Sequence, residues 1–66
     1  MEIIVNGQAQ NVPNGYTAEQ LVKSLELAGK RIAMEVNEEI VPKSSYPNYA
    51  FSAGDRVEVV HAVGGG

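Results

Sequence analysis

At 66 residues the chain has room for one domain and none for a deep internal cleft, so its function should fall on a face, an edge or a terminus. It has no cysteine, which excludes a disulfide framework, a thiolate metal site and any sulfur chemistry on a side-chain thiol of its own. The formal net charge of −3 and the scattered cations Lys23, Lys30, Arg31, Lys43 and Arg56 exclude the clustered phosphate neutralisation that nucleic-acid binding needs.

No apolar run is long enough to span a bilayer, and the opening MEIIVNG lacks the basic start and long apolar core of a secretion signal. The expected setting is the cytoplasm, with no membrane partner and a monomer when alone.

The stretch MEIIVNGQAQNV reads as a β-hairpin. Asn6-Gly7 is a two-residue type I′ turn signal, because both central positions need positive φ. Val5 should then face Gln8 and Met1 should face Val12, with Met1, Ile3, Val5 and Val12 turned inward and Ile4 on the opposite face.

After PNGY, the stretch TAEQLVKSLELAG carries helix signals. Thr17 and Gln20 have the spacing of a capping box, and Tyr16 can staple onto Leu21. Ala18, Leu21, Val22, Leu25 and Ala28 form one apolar stripe, with Gly29 as terminator and Lys30 and Arg31 at the negative end.

In RIAMEVNEEIV, Ile32, Met34 and Val36 alternate with Ala33 and Glu35 as in a half-buried strand. NEE is a turn, and the short strand after it is stopped by Pro42. Residues 42–54 read as a long loop with room for a turn of helix, anchored in the core by Phe51. Asp55 bonds backbone in the turn AGD, and RVEVVHA forms the last strand, with Val57 and Val59 on one face and Arg56, Glu58 and Val60 on the other.

The order is thus β-β-α-β-β-β. The only helix must cover one face of one mixed sheet, with the apolar first and last strands central and adjacent. This α+β arrangement is the β-grasp, or ubiquitin-like, architecture: a four- to five-stranded sheet with one helix packed on one face. The domain takes in residues 1–62 and a Gly-Gly tail residues 63–66. The uncovered face leaves Ile4, Ala33, Ile40 and Val60 as candidates for a partner-docking surface.

No constellation of side chains supports catalysis. His61 has no second ligand or nucleophile at a recognisable spacing, and it reads as a polar residue ending a strand. Glu38-Glu39 lies in a turn where adjacent carboxylates point apart, and Ser44-Ser45 has no base near it in sequence. What remains is the carboxylate of Gly66, ionised at neutral pH because a chain-terminal carboxyl titrates at about 3.3–3.7. It is a poor electrophile until activated, and adenylation by ATP on a separate enzyme is the general solution. Gly64, Gly65 and Gly66 suit a narrow cleft, having no side chain to clash and no branching beside the reacting carbon.

The pieces IIVNGQ, TAEQLVKSL, VNEEIVPK, AGDRVEVV and the ending VGGG together resemble the ThiS family of sulfur carriers over essentially the whole chain. The resemblance implies that an E1-like adenylyltransferase of the ThiF type, using ATP and magnesium, adenylates Gly66. A cysteine desulfurase or persulfide relay then converts it to a thiocarboxylate, and a thiazole synthase of the ThiG type takes the sulfur for thiamine. Gly66 is then the modified residue and Gly65 and Gly64 the slender segment before it. The chain is a co-substrate and not an enzyme, and it binds no cofactor itself. Lys43 departs from the arginine common after that proline, and lysine lacks the planar fork for a bidentate contact.

Two readings share this fold and tail: a sulfur carrier serving molybdopterin or tRNA thiolation, and a modifier conjugated to lysines through Gly66. A regulatory β-grasp domain needs no free glycine end. The length and the VNEEIVP segment favour thiamine.

Overall fold

The structure, a computed structural model, describes residues 1–61; the domain limit at residue 62 and the glycine tail lie outside the described residues. Strands β1 (Glu2–Val5) and β2 (Gln8–Asn11) form the hairpin, and helix α1 (Ala18–Ser24) follows. Then come β3 (Ile32–Val36), β4 (Glu39–Val41), a 3-10 turn at Lys43–Asn48 and β5 (Arg56–His61). The strands make a five-stranded mixed sheet in the order β2-β1-β5-β3-β4. The apolar first and last strands are adjacent and parallel, with Ile4 opposite Arg56 and Val5 opposite Val57.

The hairpin has the expected register, Val5 opposite Gln8 and Glu2 opposite Asn11. Asn6 and Gly7 both have positive φ, 50° and 82°, as a type I′ turn requires. The second hairpin turns on Asn37 and Glu38, also both at positive φ, so NEE closes β3 onto β4 with Val36 opposite Glu39.

Helix α1 starts as its sequence dictates. The Thr17 hydroxyl accepts from Gln20 N–H at 3.2 Å, and Gln20 Oε1 accepts from Thr17 N–H at 2.9 Å. Tyr16 packs against the buried cluster that contains Leu21, in keeping with the staple.

The end of α1 corrects the expectation. The helix stops at Ser24, not at Gly29. Glu26 adopts φ 59°, its N–H bonds Lys23 O at 3.0 Å, and Leu27 N–H bonds Val22 O at 2.9 Å. These are the two bonds of a Schellman motif, with Glu26 in the left-handed position usually held by glycine. The reason lies in Leu27. On a continued helix it would stand about 180° from Ala18, on the solvent side. The early turn swings it back to pack against the core, while Ala28 falls outside the helix and is exposed. Gly29, at φ 79°, serves instead in the turn closed by Lys30 N–H on Leu27 O, so Lys30 and Arg31 do not sit at the helix end.

The core lies between α1 and one sheet face. Ile3, Leu21, Met34 and Val57 are its largest fully buried side chains, and Val5, Val12, Ala18, Val22, Ile32, Val36, Val41 and Val59 are buried with them. Phe51 is buried as expected, and the 3-10 turn adds a second aromatic, Tyr46, to the core. Burial raises the Tyr46 phenol above its ordinary pKa of 10.0.

Candidate functional site

Strand β5 organises the site, because it is central and leads in sequence to the glycines. It is held between two hairpin turns. At its start, Asn37 N–H donates to Arg56 O at 2.8 Å, and Asn37 Oδ1 accepts from Arg56 N–H at 3.0 Å. Asn37 Nδ2 also donates to Asp55 Oδ1 at 3.1 Å, and Asp55 Oδ2 accepts from Ser52 N–H at 2.8 Å, as expected of an aspartate in that turn. Farther along, Asn6 N–H donates to Val57 O at 2.8 Å. The Asn6 side chain then reaches one step beyond the end of β1: Oδ1 accepts from Val59 N–H at 2.9 Å and Nδ2 donates to Val59 O at 3.3 Å. On its other edge β5 stays paired with β3 to its last residue, Ala33 opposite Val60 and Ile32 opposite His61. His61 is exposed at the strand end, as expected.

Among the described residues nothing covers the sheet face away from α1. Arg56, Glu58 and Val60 lie on it as expected. Val60 and Ile40 are the exposed large apolar residues among those described, at 57% and 68%, whereas Ala33 and Ile4 are half-buried. The register brings Ala33 and Val60 together as direct partners and puts Ile40 opposite Glu35 one strand over. Ile4 stands apart from that group, opposite Arg56 at the start of β5. Four residues along a strand is about 13 Å, so Ile4 and Val60 occupy different ends of the face.

Between those ends the face is charged. The register sets Glu35 directly opposite Glu58, a like-charge pairing that weakens a sheet. A shallow open hollow of about 320 Å³ is lined there by Ile4, Glu35, Glu38, Arg56 and Glu58. No group of three or more metal-ligating side chains occurs among the described residues. Lys43, the departure noted in VPK, uses its ammonium to donate to Lys30 O at 3.0 Å on the other side of the molecule. None of the described helices is long and apolar enough to cross a membrane. The residues expected to carry the chemistry, Gly64, Gly65 and Gly66, lie outside the described residues.

The family model of ThiS matches residues 3–66. The thiazole synthase of Paramagnetospirillum magneticum is 41% identical over 66 residues, which are all of this chain and 20% of that protein. That of Magnetococcus marinus is 36% identical over the same span, so the chain corresponds to about one fifth of the length of both. The sulfur carrier protein ThiS of Escherichia coli is 27% identical, with all of both chains covered. Among solved structures, the thiamine biosynthesis protein ThiS of Geobacter metallireducens superposes with a TM-score of 0.84 at 26% identity, again over all of both chains. The five-stranded mixed sheet and its helix are thus the β-grasp fold.

Proposed function

The chain belongs to the ThiS family, and from that premise we propose that it is a sulfur carrier of thiamine biosynthesis that works through the carboxylate of Gly66. The observation that carries this reading is the likeness to a sulfur carrier protein over the full length of both chains. The thiazole synthases that contain a like segment support a ThiG-type enzyme as the recipient of the sulfur.

The chemistry follows from the weakness of a carboxylate as an electrophile. An oxygen of Gly66 attacks the α-phosphorus of ATP on a ThiF-type adenylyltransferase, with magnesium on the phosphates, and pyrophosphate leaves. A persulfide sulfur, supplied through a cysteine desulfurase, then attacks the acyl carbon and displaces AMP. A thiol then attacks the outer sulfur of the acyl disulfide, forming a disulfide with it and releasing the thiocarboxylate. Gly65 and Gly64 let the end enter a narrow, water-excluding site without side-chain clash. The chain acts in the cytoplasm as a co-substrate, and the nucleotide, the magnesium and the catalytic groups belong to its partners.

Docking falls to the open sheet face. Val60 and Ala33 supply the apolar contact beside the strand end. The opposed Glu35 and Glu58 favour a partner that brings a cation to that face. The test is intact-mass analysis of the chain after incubation with the adenylyltransferase, ATP, magnesium, a persulfide donor and a reducing thiol. A gain matching the exchange of one oxygen for sulfur, located at Gly66, is the expected result. An unchanged mass, with the same enzymes active on a known carrier, overturns the reading.

A further inference from the structure

The main chain of β1 can follow β5 only as far as Val57, where Asn6 N–H makes its bond. There the hairpin turns away, and the next inward-facing residue of β5, Val59, has an N–H and a C=O aimed at an edge where no described strand lies. The Asn6 amide occupies that place as a substitute peptide, giving an acceptor to Val59 N–H and a donor to Val59 O. The two residues are 53 apart in sequence, so neither local turn chemistry nor strand pattern calls for the contact.

Two demands meet at Asn6. The type I′ turn requires positive φ, which asparagine tolerates better than most residues. The clamp requires a donor and an acceptor on one short, planar group. Glycine meets only the first demand. Aspartate meets the first and supplies only the acceptor.

We propose that Asn6 is a positioning residue for the activation of Gly66: it fixes the last part of β5, the strand from which Gly66 is presented to the activating enzyme. The proposal rests on the carrier reading above. Gly66 stands seven residues beyond Val59, a span of at most about 25 Å when fully extended. Among the described residues Val59 is the last of β5 with a neighbour on both edges, Asn6 on one and Met34 on the other, and Val60 and His61 pair with β3 alone. Loosening Val59 leaves Val60 and His61 paired with β3, which keeps the docking face together, but lets this part of β5 shift against the hairpin turn. A smaller fraction of docked carriers then presents its carboxylate productively, which lowers turnover more than it weakens docking.

The experiment compares wild type, Asn6→Gly and Asn6→Asp in the full chain. Asn6→Gly keeps a turn-competent residue and deletes the clamp. Pyrophosphate release with the adenylyltransferase, ATP and magnesium gives kcat and KM, and hydrogen exchange in the carrier alone reads the Val59 amide. The expected result for Asn6→Gly is a kcat lower by about threefold to tenfold with KM changed by less than about twofold. Its Val59 amide should exchange at least about tenfold faster, while amides of β3 keep their protection. Asn6→Asp, retaining the acceptor, should lie between.

An unchanged kcat in an Asn6→Gly chain whose Val59 amide has lost protection overturns the proposal. So does uniformly faster exchange across the sheet with kcat unchanged, which marks a purely structural role. Failure of the carrier reading looks different: the wild-type chain itself then releases no pyrophosphate.

Discussion

Asn37 holds both backbone groups of Arg56, accepting from its N–H at 3.0 Å through the side chain and donating to its C=O at 2.8 Å through the main chain. A turn residue thereby extends the β3 ladder past the hairpin to the first residue of the central strand, much as Asn6 extends β1 at Val59. Asn37→Ala removes the side-chain bonds and puts alanine at a φ of 53°, and it should cost about 2–3 kcal/mol. Asn37→Gly keeps the backbone conformation and should cost about 1 kcal/mol. Urea unfolding measures both. Equal effects would show that the turn conformation contributes nothing to the difference.

Glu26 occupies the left-handed position of the α1 Schellman motif at φ 59°. It is exposed, so replacing it removes no buried contact. Glu26→Gly should therefore raise stability by about 0.5–1 kcal/mol, because glycine adopts this conformation without the Cβ penalty. A higher denaturation midpoint with unchanged slope is the expected outcome. A loss of stability would mean that the entropy of the added glycine outweighs the relief of strain.

The open sheet face should separate stability from activity. Glu58→Gln removes the like-charge opposition with Glu35 and should stabilise the fold by about 0.2–1 kcal/mol. The same change should weaken binding to the adenylyltransferase and reduce its salt dependence, since a charge offered to the partner is gone. Val60→Asp, at a position 57% exposed, should stay folded yet be activated poorly. Isothermal titration against the enzyme, alongside circular dichroism, checks both variants. Unimpaired binding by each of them would remove this face from the docking surface.

Tyr46 carries a pH dependence. Its ring is buried against the core and burial raises its phenol pKa above 10.0, so the folded state favours the protonated form. The stabilisation is fully present below pH 10.0, the ordinary value, and is lost as pH rises through the higher folded value. Thermal midpoints should thus fall above about pH 10, and Tyr46→Phe should flatten that fall. Tyr49 shifts the same way, first from burial and then from Asp55 and Glu39, so some slope should survive in the single variant. Identical alkaline profiles for the wild type and Tyr46→Phe would count against the assignment.

Much of the fold is legible because its signals are local. Asn6-Gly7 dictates a tight hairpin, and with it the pairing of Val5 with Gln8. Thr17 and Gln20 start the helix three residues apart. The alternation of Ile32, Met34 and Val36, and of Val57 and Val59, assigns each strand an inner face before any partner is known. The likeness of the whole chain to a carrier family, and the glycines on which that reading turns, are likewise properties of the sequence.

Other features depend on groups far apart in the chain, and only the tertiary structure decided them. Helical spacing carries on to Ala28, but the need to bury Leu27 ends α1 at Ser24. Tyr46 reads as a loop residue until the 3-10 turn packs it into the core. Ile4 and Val60 look equivalent as outward apolar residues, yet the parallel register of β1 on β5 puts them at opposite ends of the face. Asn6 and Asn37 look like turn formers and nothing more. Their second role exists only because the last strand inserts beside both turns and leaves backbone groups that their amides can satisfy, across 53 and 19 residues of sequence.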